Sequence, residues 1–250
     1  MERFKAAFIN EIEKMYKRKK AVVIIVISLI TIIFGQLVVI GIRSGLGVRG
    51  ASSTEFPLLV LSVFANTILP LFTALVTIDT FSGEFSHNTM KIALTKPVSR
   101  IKLYSAKIAA IAFFALSNLL VVMVLSVLTG FLFNTASFTG VGLLRIVVSY
   151  LVTLVPILVL AVIITFFSNV LKSSGAVFFL TILLFISLKA LGFIFPRYSS
   201  LFITSMIDWY NLWIASSIPL MKLLRQLFIM LGYGIMFFTA GFYLFDKKDL

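Results

Sequence analysis

Six times along 250 residues, a predominantly apolar run of more than twenty residues ends in a break that carries a Lys or Arg. The runs occupy residues 21–42, 57–78, 108–131, 146–171, 175–195 and 223–245. Crossing the hydrocarbon core of a bilayer takes about 20 residues of helix. A helix also bonds its own backbone groups where lipid offers no partner. Alternation with a period of two is missing from these runs, which argues against a β-barrel. Pro57 suits the first turn of its helix, where a missing N–H costs nothing, and Pro156 is expected to kink the fourth span. Residues are 60% hydrophobic and 12% charged, against about half and a quarter in a soluble domain. The expected fold class is an all-α integral membrane protein with six transmembrane helices, residues 21–250 forming the six-span domain.

The net charge of +13 is compatible with nucleic acid as a partner, but the basic residues sit at the ends of apolar runs instead of forming one contiguous patch. Fifteen of the 22 Lys and Arg fall on the side of the two termini and seven on the other. Cytoplasmic loops of membrane proteins carry the excess of Lys and Arg. Both termini are therefore expected in the cytoplasm, with lipid and not nucleic acid as the surrounding partner. The chain has no cysteine and a single histidine, His87, so disulfides, thiol catalysis and a histidine metal cluster are excluded. The basic N-terminal stretch is followed by an apolar run of full span length, unlike a cleaved secretory signal.

Two further segments carry structure outside the spans. Within residues 1–20, Phe4, Phe8, Ile12, Met15 and Tyr16 recur at helical spacing, the pattern of an amphipathic helix on the cytoplasmic membrane face. Residues 196–221, "PRYSSLFITSMIDWYNLWIASSIPLM", are too interrupted to span and too apolar for a free loop. A re-entrant or interfacial helix pair fits them, with Trp209, Tyr210 and Trp213 at headgroup level.

Between the second and third runs lies "FSGEFSHNTMKIALTKPVSR", residues 81–100. The chain is expected to leave the membrane at Asp79 and form a short helix over 82–96. Pro97 stops that helix, and Ser99 caps the next one, which starts at Arg100.

Glu84, Thr89, Leu94, Pro97, Val98, Ser99 and Arg100, followed by Lys107, together with the C-terminal "FYLFDKKDL", resemble the permeases of type-2 ATP-binding-cassette (ABC) transporters. Asn88 departs from that pattern, where many relatives carry Gly. The resemblance implies that residues 82–99 are a coupling helix docking on a cytoplasmic ABC ATPase, with Glu84, Thr89, Leu94, Lys96, Pro97 and Arg100 at that interface. Glu84 would anchor the segment through hydrogen bonds or an ion pair, and Arg100 would hold the elbow near lipid phosphates. It further implies two ATPase copies, a second permease subunit (identical or homologous), and a bacterial plasma membrane. ATP and Mg would then be held by the partner, with no cofactor in this chain.

No phosphate loop of the form G-x-x-x-x-G-K-[ST] occurs, and no carboxylate pair or nucleophile–base set lies within a run, so the chain is not expected to be an enzyme. Polar residues singled out inside the runs are Gln36, Asn66, Asn118 and Lys189. The three amides are expected to hydrogen-bond between helices, at about 0.6 kcal/mol each, or else to line a path. Lys189 is expected to snorkel outward or pair with Asp208, the other reading being a contact to substrate. Short outer loops favour export of an amphipathic peptide, an antibiotic or another hydrophobic small molecule. A non-transporting scaffold or sensor that binds a partner through residues 82–99 is the alternative.

Overall fold

The computed structural model describes residues 2–17, 20–46, 51–86, 98–134, 139–171 and 173–247. Among them there is no β-strand. The long helices are α1 (Glu2–Lys17), α2 (Lys20–Leu46), α3 (Glu55–Asn66), α4 (Ile68–Ile78), α5 (Arg100–Phe133), α6 (Gly140–Val170), α7 (Ser174–Ile194) and α8 (Leu220–Asp246). Five helices are long and apolar enough to cross a membrane; the pair α3–α4, taken as one span, brings the number to six.

The second span was expected to be a single helix and is not. It breaks at Thr67 (φ −129°, ψ −71°) with a bend of 40°. Pro70 explains the break, because it has no N–H for the Asn66 carbonyl and its ring excludes that oxygen from helical position. Side chains beside the break bond back to their own helix: Asn66 donates to Ser62 O at 3.0 Å and Thr67 to Val63 O at 2.6 Å. By contrast, α6 runs unbroken through Pro156. It is the most buried span, packing against α3, α4, α5, α7 and α8.

Around Asp79, where the chain is expected to leave the membrane, it stays packed against the bundle. Helix α4 continues through a π-helical turn, Asp79–Gly83, into Glu84–Ser86, and Thr80, Phe81, Ser82, Gly83 and Glu84 are all buried. Helix α5 does start at Arg100, but the Ser99 side chain makes no capping bond. At 34 residues and 1.5 Å per residue, α5 is about 51 Å long, well beyond the ~30 Å hydrocarbon core. Part of it must stand clear of the hydrocarbon, and α1 packs along it.

The segment between α7 and α8 is a string of short pieces: Pro196–Leu201, Ile203–Met206, Ile207–Trp209 and Tyr210–Trp213. It lies against α3, α6 and α7. Trp209 and Tyr210, expected at headgroup level, are 3% and 2% exposed, because the segment folds onto the bundle and buries them against protein.

Both chain ends meet at one end of the bundle, the terminal face, in keeping with an even number of crossings. There, Tyr104 of α5 is fully buried among Phe81, Phe238, Phe242 and Phe245, with ring centroids 5.2–5.6 Å away. Such aromatic pairs contribute about 0.5–1.5 kcal/mol each beyond area burial. The close approach of α8 requires Gly241, where a Cβ would sit 2.5 Å from the Tyr104 hydroxyl. Gly241→Ala is expected to destabilise the bundle by about 1–3 kcal/mol through overpacking. Because the Tyr104 hydroxyl has no hydrogen-bond partner, adding Tyr104→Phe should recover most of that loss in thermal denaturation in detergent.

Candidate functional site

Burial along α5 follows helical spacing at Leu103, Tyr104, Lys107, Ala110, Ile111 and Phe114. Lys107 therefore points inward by its place in the helix, and its side chain is completely buried. An ammonium has three donors and no acceptor. Here all three are used: Glu84 Oε2 at 2.7 Å, Glu11 Oε2 at 3.1 Å and Thr80 O at 3.2 Å. The Phe81 ring lies 5.9 Å from the same Nζ.

The two carboxylates share a second cation. Lys14 Nζ donates to Glu11 Oε1 at 2.8 Å and to Glu84 Oε1 at 3.0 Å. Each glutamate thus bridges both lysines, one oxygen to each, and the four charges close into a square that sums to zero. Its corners come from α1 (Glu11, Lys14), from the continuation of α4 (Glu84) and from α5 (Lys107). Asp79 and Thr80 border the small cleft beside it.

Electrostatics on α1 follow from this geometry. Burial pushes the Glu11 carboxyl up, but Lys107 and Lys14 outweigh it and hold its pKa below the ordinary 4.5. Burial pushes Lys14 down, and Glu11 and Glu84 outweigh it, leaving its pKa above 10.5. The depressed Glu11 value gives stability that is complete above 4.5 and lost as pH falls through the folded value. The raised Lys14 value gives stability that is complete below 10.5 and lost as pH rises through the folded value.

Of the residues expected at the partner interface, Glu84 is turned into the square, with its side chain 6% exposed. It anchors the root of the loop through ion pairs and presents no free carboxylate to a partner. Arg100, expected at lipid phosphates, reaches the end of α8 instead: Nε lies 4.0 Å from Asp246 Oδ1 and Nη1 donates to the Asp246 carbonyl. Thr89, Leu94, Lys96 and Pro97, and with them most of the 82–96 helix, lie outside the described residues.

The polar residues of the spans behave in three ways. Gln36 and Asn134 form a reciprocal amide pair between α2 and the end of α5, at 3.0 and 3.5 Å. Asn118 stays within its own helix, donating to Phe114 O at 2.7 Å, so the expected bond to another helix is not made. Lys189 does not pair directly with Asp208. Asn66 stands between them, accepting from Lys189 Nζ at 2.7 Å and donating to Asp208 Oδ1 at 2.8 Å. That chain of three joins α7, the end of α3 and the segment between α7 and α8 (the outer segment, on the face away from the chain termini), beside the break in the second span.

Neither Glu11 nor a buried role for Lys107 was expected from the sequence, though both left a signal. Glu11 lies on the apolar stripe of α1 beside Phe8, Ile12 and Met15, and Lys107 on the apolar stripe of α5. A charge on an apolar stripe needs a buried partner. Among the described residues no group of His, Cys, Asp or Glu is arranged to hold a metal ion. Only the Lys14 corner of the square is exposed; its capacity is mechanical, joining three segments into one body.

A family model described as "ABC-2 family transporter protein" matches residues 7–188. That range holds all four corners of the square and stops before the outer segment and α8. No curated protein matches the chain.

Removing one partner from a buried ion pair costs about 3–5 kcal/mol. Lys107→Met, which leaves Glu11 and Glu84 facing each other, should therefore release α1, while Lys107→Met combined with Glu11→Gln and Glu84→Gln should hold it. A spin label on Ile9→Cys, an exposed position of α1, reads this directly. In the otherwise unchanged chain the label should stay equally restrained between pH 4.5 and 10.5 and loosen on further acidification.

Proposed function

The chain belongs to the ABC-2 family of transporter proteins, and from that premise we propose that it is the permease half of an ATP-driven exporter. As a family member it is a multi-pass membrane subunit that does not itself carry catalysis, and such permeases generally work as dimers with a cytoplasmic ATPase. The proposal adds the arrangement for this chain. Two ATPase copies, holding ATP and Mg, dock on residues 82–99 of two permease subunits, identical or homologous. Both termini face the cytoplasm of a bacterial cell. Thr89, Leu94, Lys96 and Pro97 meet the ATPase, whereas Glu84 and Arg100 act behind them as positioning residues.

The observation that carries this reading is the charge square at the root of the loop. Glu84 lies within the first turn of residues 82–99 and is ion-paired to α1 and to α5. A push on the loop as the ATPases close on ATP passes directly to a third-span helix about 51 Å long and to the amphipathic helix beside it. Rocking of these elements would alternate access to a path between the two permease halves. The cargo is an amphipathic peptide, an antibiotic or another hydrophobic small molecule. This agrees with the short outer loops and the scarcity of charge inside the spans.

A mild-detergent pull-down of the tagged chain from its native membrane is expected to retain a stoichiometric ATPase. Leu94→Asp with Pro97→Ala should abolish that association without preventing membrane insertion. Glu84→Gln should leave the ATPase bound but reduce cargo-stimulated ATP hydrolysis. Recovery of no ATPase, even after cross-linking through residues 82–99, would favour the scaffold or sensor.

A further inference from the structure

Helix α7 is the sparsely buried span, touching the bundle at its start, through Phe185 and Leu188, and at its end. Near its start Val177 is its one buried residue, packed with Ala74, Ile78, Leu160 and Ile164. Near its end, Gly192 sits so close to the outer segment that a Cβ there would lie 3.0 Å from the Ser205 hydroxyl. Between these attachments α7 arches over a cavity of about 260 Å³. Its walls include Ile163 and Phe167 of α6, Leu184 and Leu188 of α7, and Phe237 of α8, with Thr204 of the outer segment as part of the cap. The cap is pinned to α8, since Tyr233 donates to Leu201 O at 3.0 Å.

Three features define what fits. The volume exceeds the ~150 Å³ of an apolar cavity that takes up benzene and approaches the ~300 Å³ lower bound for small-molecule pockets. The walls are aliphatic and aromatic, and the Thr181 hydroxyl among them is already bonded to Val177 O. Thr204, 1% exposed, carries a hydroxyl with no partner, a single buried polar group beside an otherwise apolar chamber. Helices α7 and α8 hardly touch, so the chamber is reached sideways from the lipid between the fifth and sixth spans.

We propose that this chamber binds one alkyl chain of a membrane amphiphile, taken up laterally between α7 and α8. An alkyl chain matches these apolar walls, whereas a charged or strongly hydrogen-bonding ligand would find few partners here besides Thr204. The inference deepens the exporter reading by naming a site and a class of molecule, and its consequence for ATP hydrolysis rests on that reading; the binding itself does not.

The test uses the full chain in phosphatidylcholine vesicles and two photoactivatable probes, diazirine-bearing palmitic acid and phosphatidylcholine with the diazirine on its acyl chain. Adducts should concentrate on residues 181–188 and 233–237. Excess unlabelled palmitate should reduce the palmitic-acid adducts there by about tenfold or more, while adducts at exposed Phe34 of α2 persist. Leu184→Trp, which fills the chamber, should reduce the same adducts; competition in the unaltered chain gives the answer even if that variant fails to fold. Labelling by palmitic acid alone identifies a single-chain ligand, and equal labelling by both probes identifies the chain of a bilayer lipid. Adducts spread evenly over the exposed faces, or palmitic-acid adducts at the cavity that unlabelled palmitate does not displace, overturn the proposal. Displaceable adducts uphold the site; palmitate that leaves ATP hydrolysis unchanged in the complex with the partner ATPase counts against the exporter alone.

Discussion

The terminal face is organised by one constraint: the Lys107 ammonium is wholly buried, and a buried charge must be both paired and fully hydrogen-bonded. Desolvating an ion costs several kcal/mol even after relaxation, so a partial solution would leave α5 in another register or α1 undocked. Glu11 and Glu84 meet the requirement together only when α1, the extension of α4 and α5 are all in place, because each supplies at least one corner. The π-helical turn over Asp79–Gly83 belongs to this solution, since it carries the Thr80 carbonyl that takes the third proton of Lys107. π-Turns of this kind are frequent where function departs from regular helix geometry.

Opposite the square, the same short segment is gripped a second time. Phe81 and Phe85 contact Phe245, and Phe81 also contacts Tyr104, so residues 80–86 are clamped to α1 and α5 through charge and to α5 and α8 through aromatic packing. Arg100 and Asp246 tie the far side of the loop to α8 as well. The two chain sections that flank residues 87–97 are thereby fixed to one rigid base. Packing thins away from this base: in α7 only Val177 is buried. A stiff input end and a loosely held fifth span are what a lever needs if force enters at the loop and a hydrophobic cargo lies beyond it.

Much of the fold was legible because span length, charge at the breaks and the stripe of Phe4, Phe8 and Ile12 are properties of local sequence. The start of α5 at Arg100 was legible for the same reason. The break at Thr67 had a visible cause in Pro70, which acts on the carbonyl four residues earlier. The burial of Trp209 and Tyr210 against the bundle was not legible, because the α6 residues that cover them lie far away in sequence. The square was half legible: Glu84 was marked as an anchor, but its partners Lys107 and Lys14 lie 23 and 70 positions away in the numbering. The relay from Lys189 through Asn66 to Asp208 was less legible still, since a bridging amide looks the same in sequence whether it bonds its own helix, as Asn118 does, or two others.

The central claim is that α1 and α5 move as one body when the partner ATPase turns over. Because the chain has no cysteine, Ile9→Cys and Val124→Cys, both exposed positions, can be spin-labelled cleanly in the assembled transporter. The distance between the labels should be the same in the nucleotide-free and ATP-bound states, while a second pair from α5 to the equivalent helix of the other permease subunit changes. A shift between Ile9→Cys and Val124→Cys on ATP binding would show that the charge square opens during the cycle, and would contradict the account.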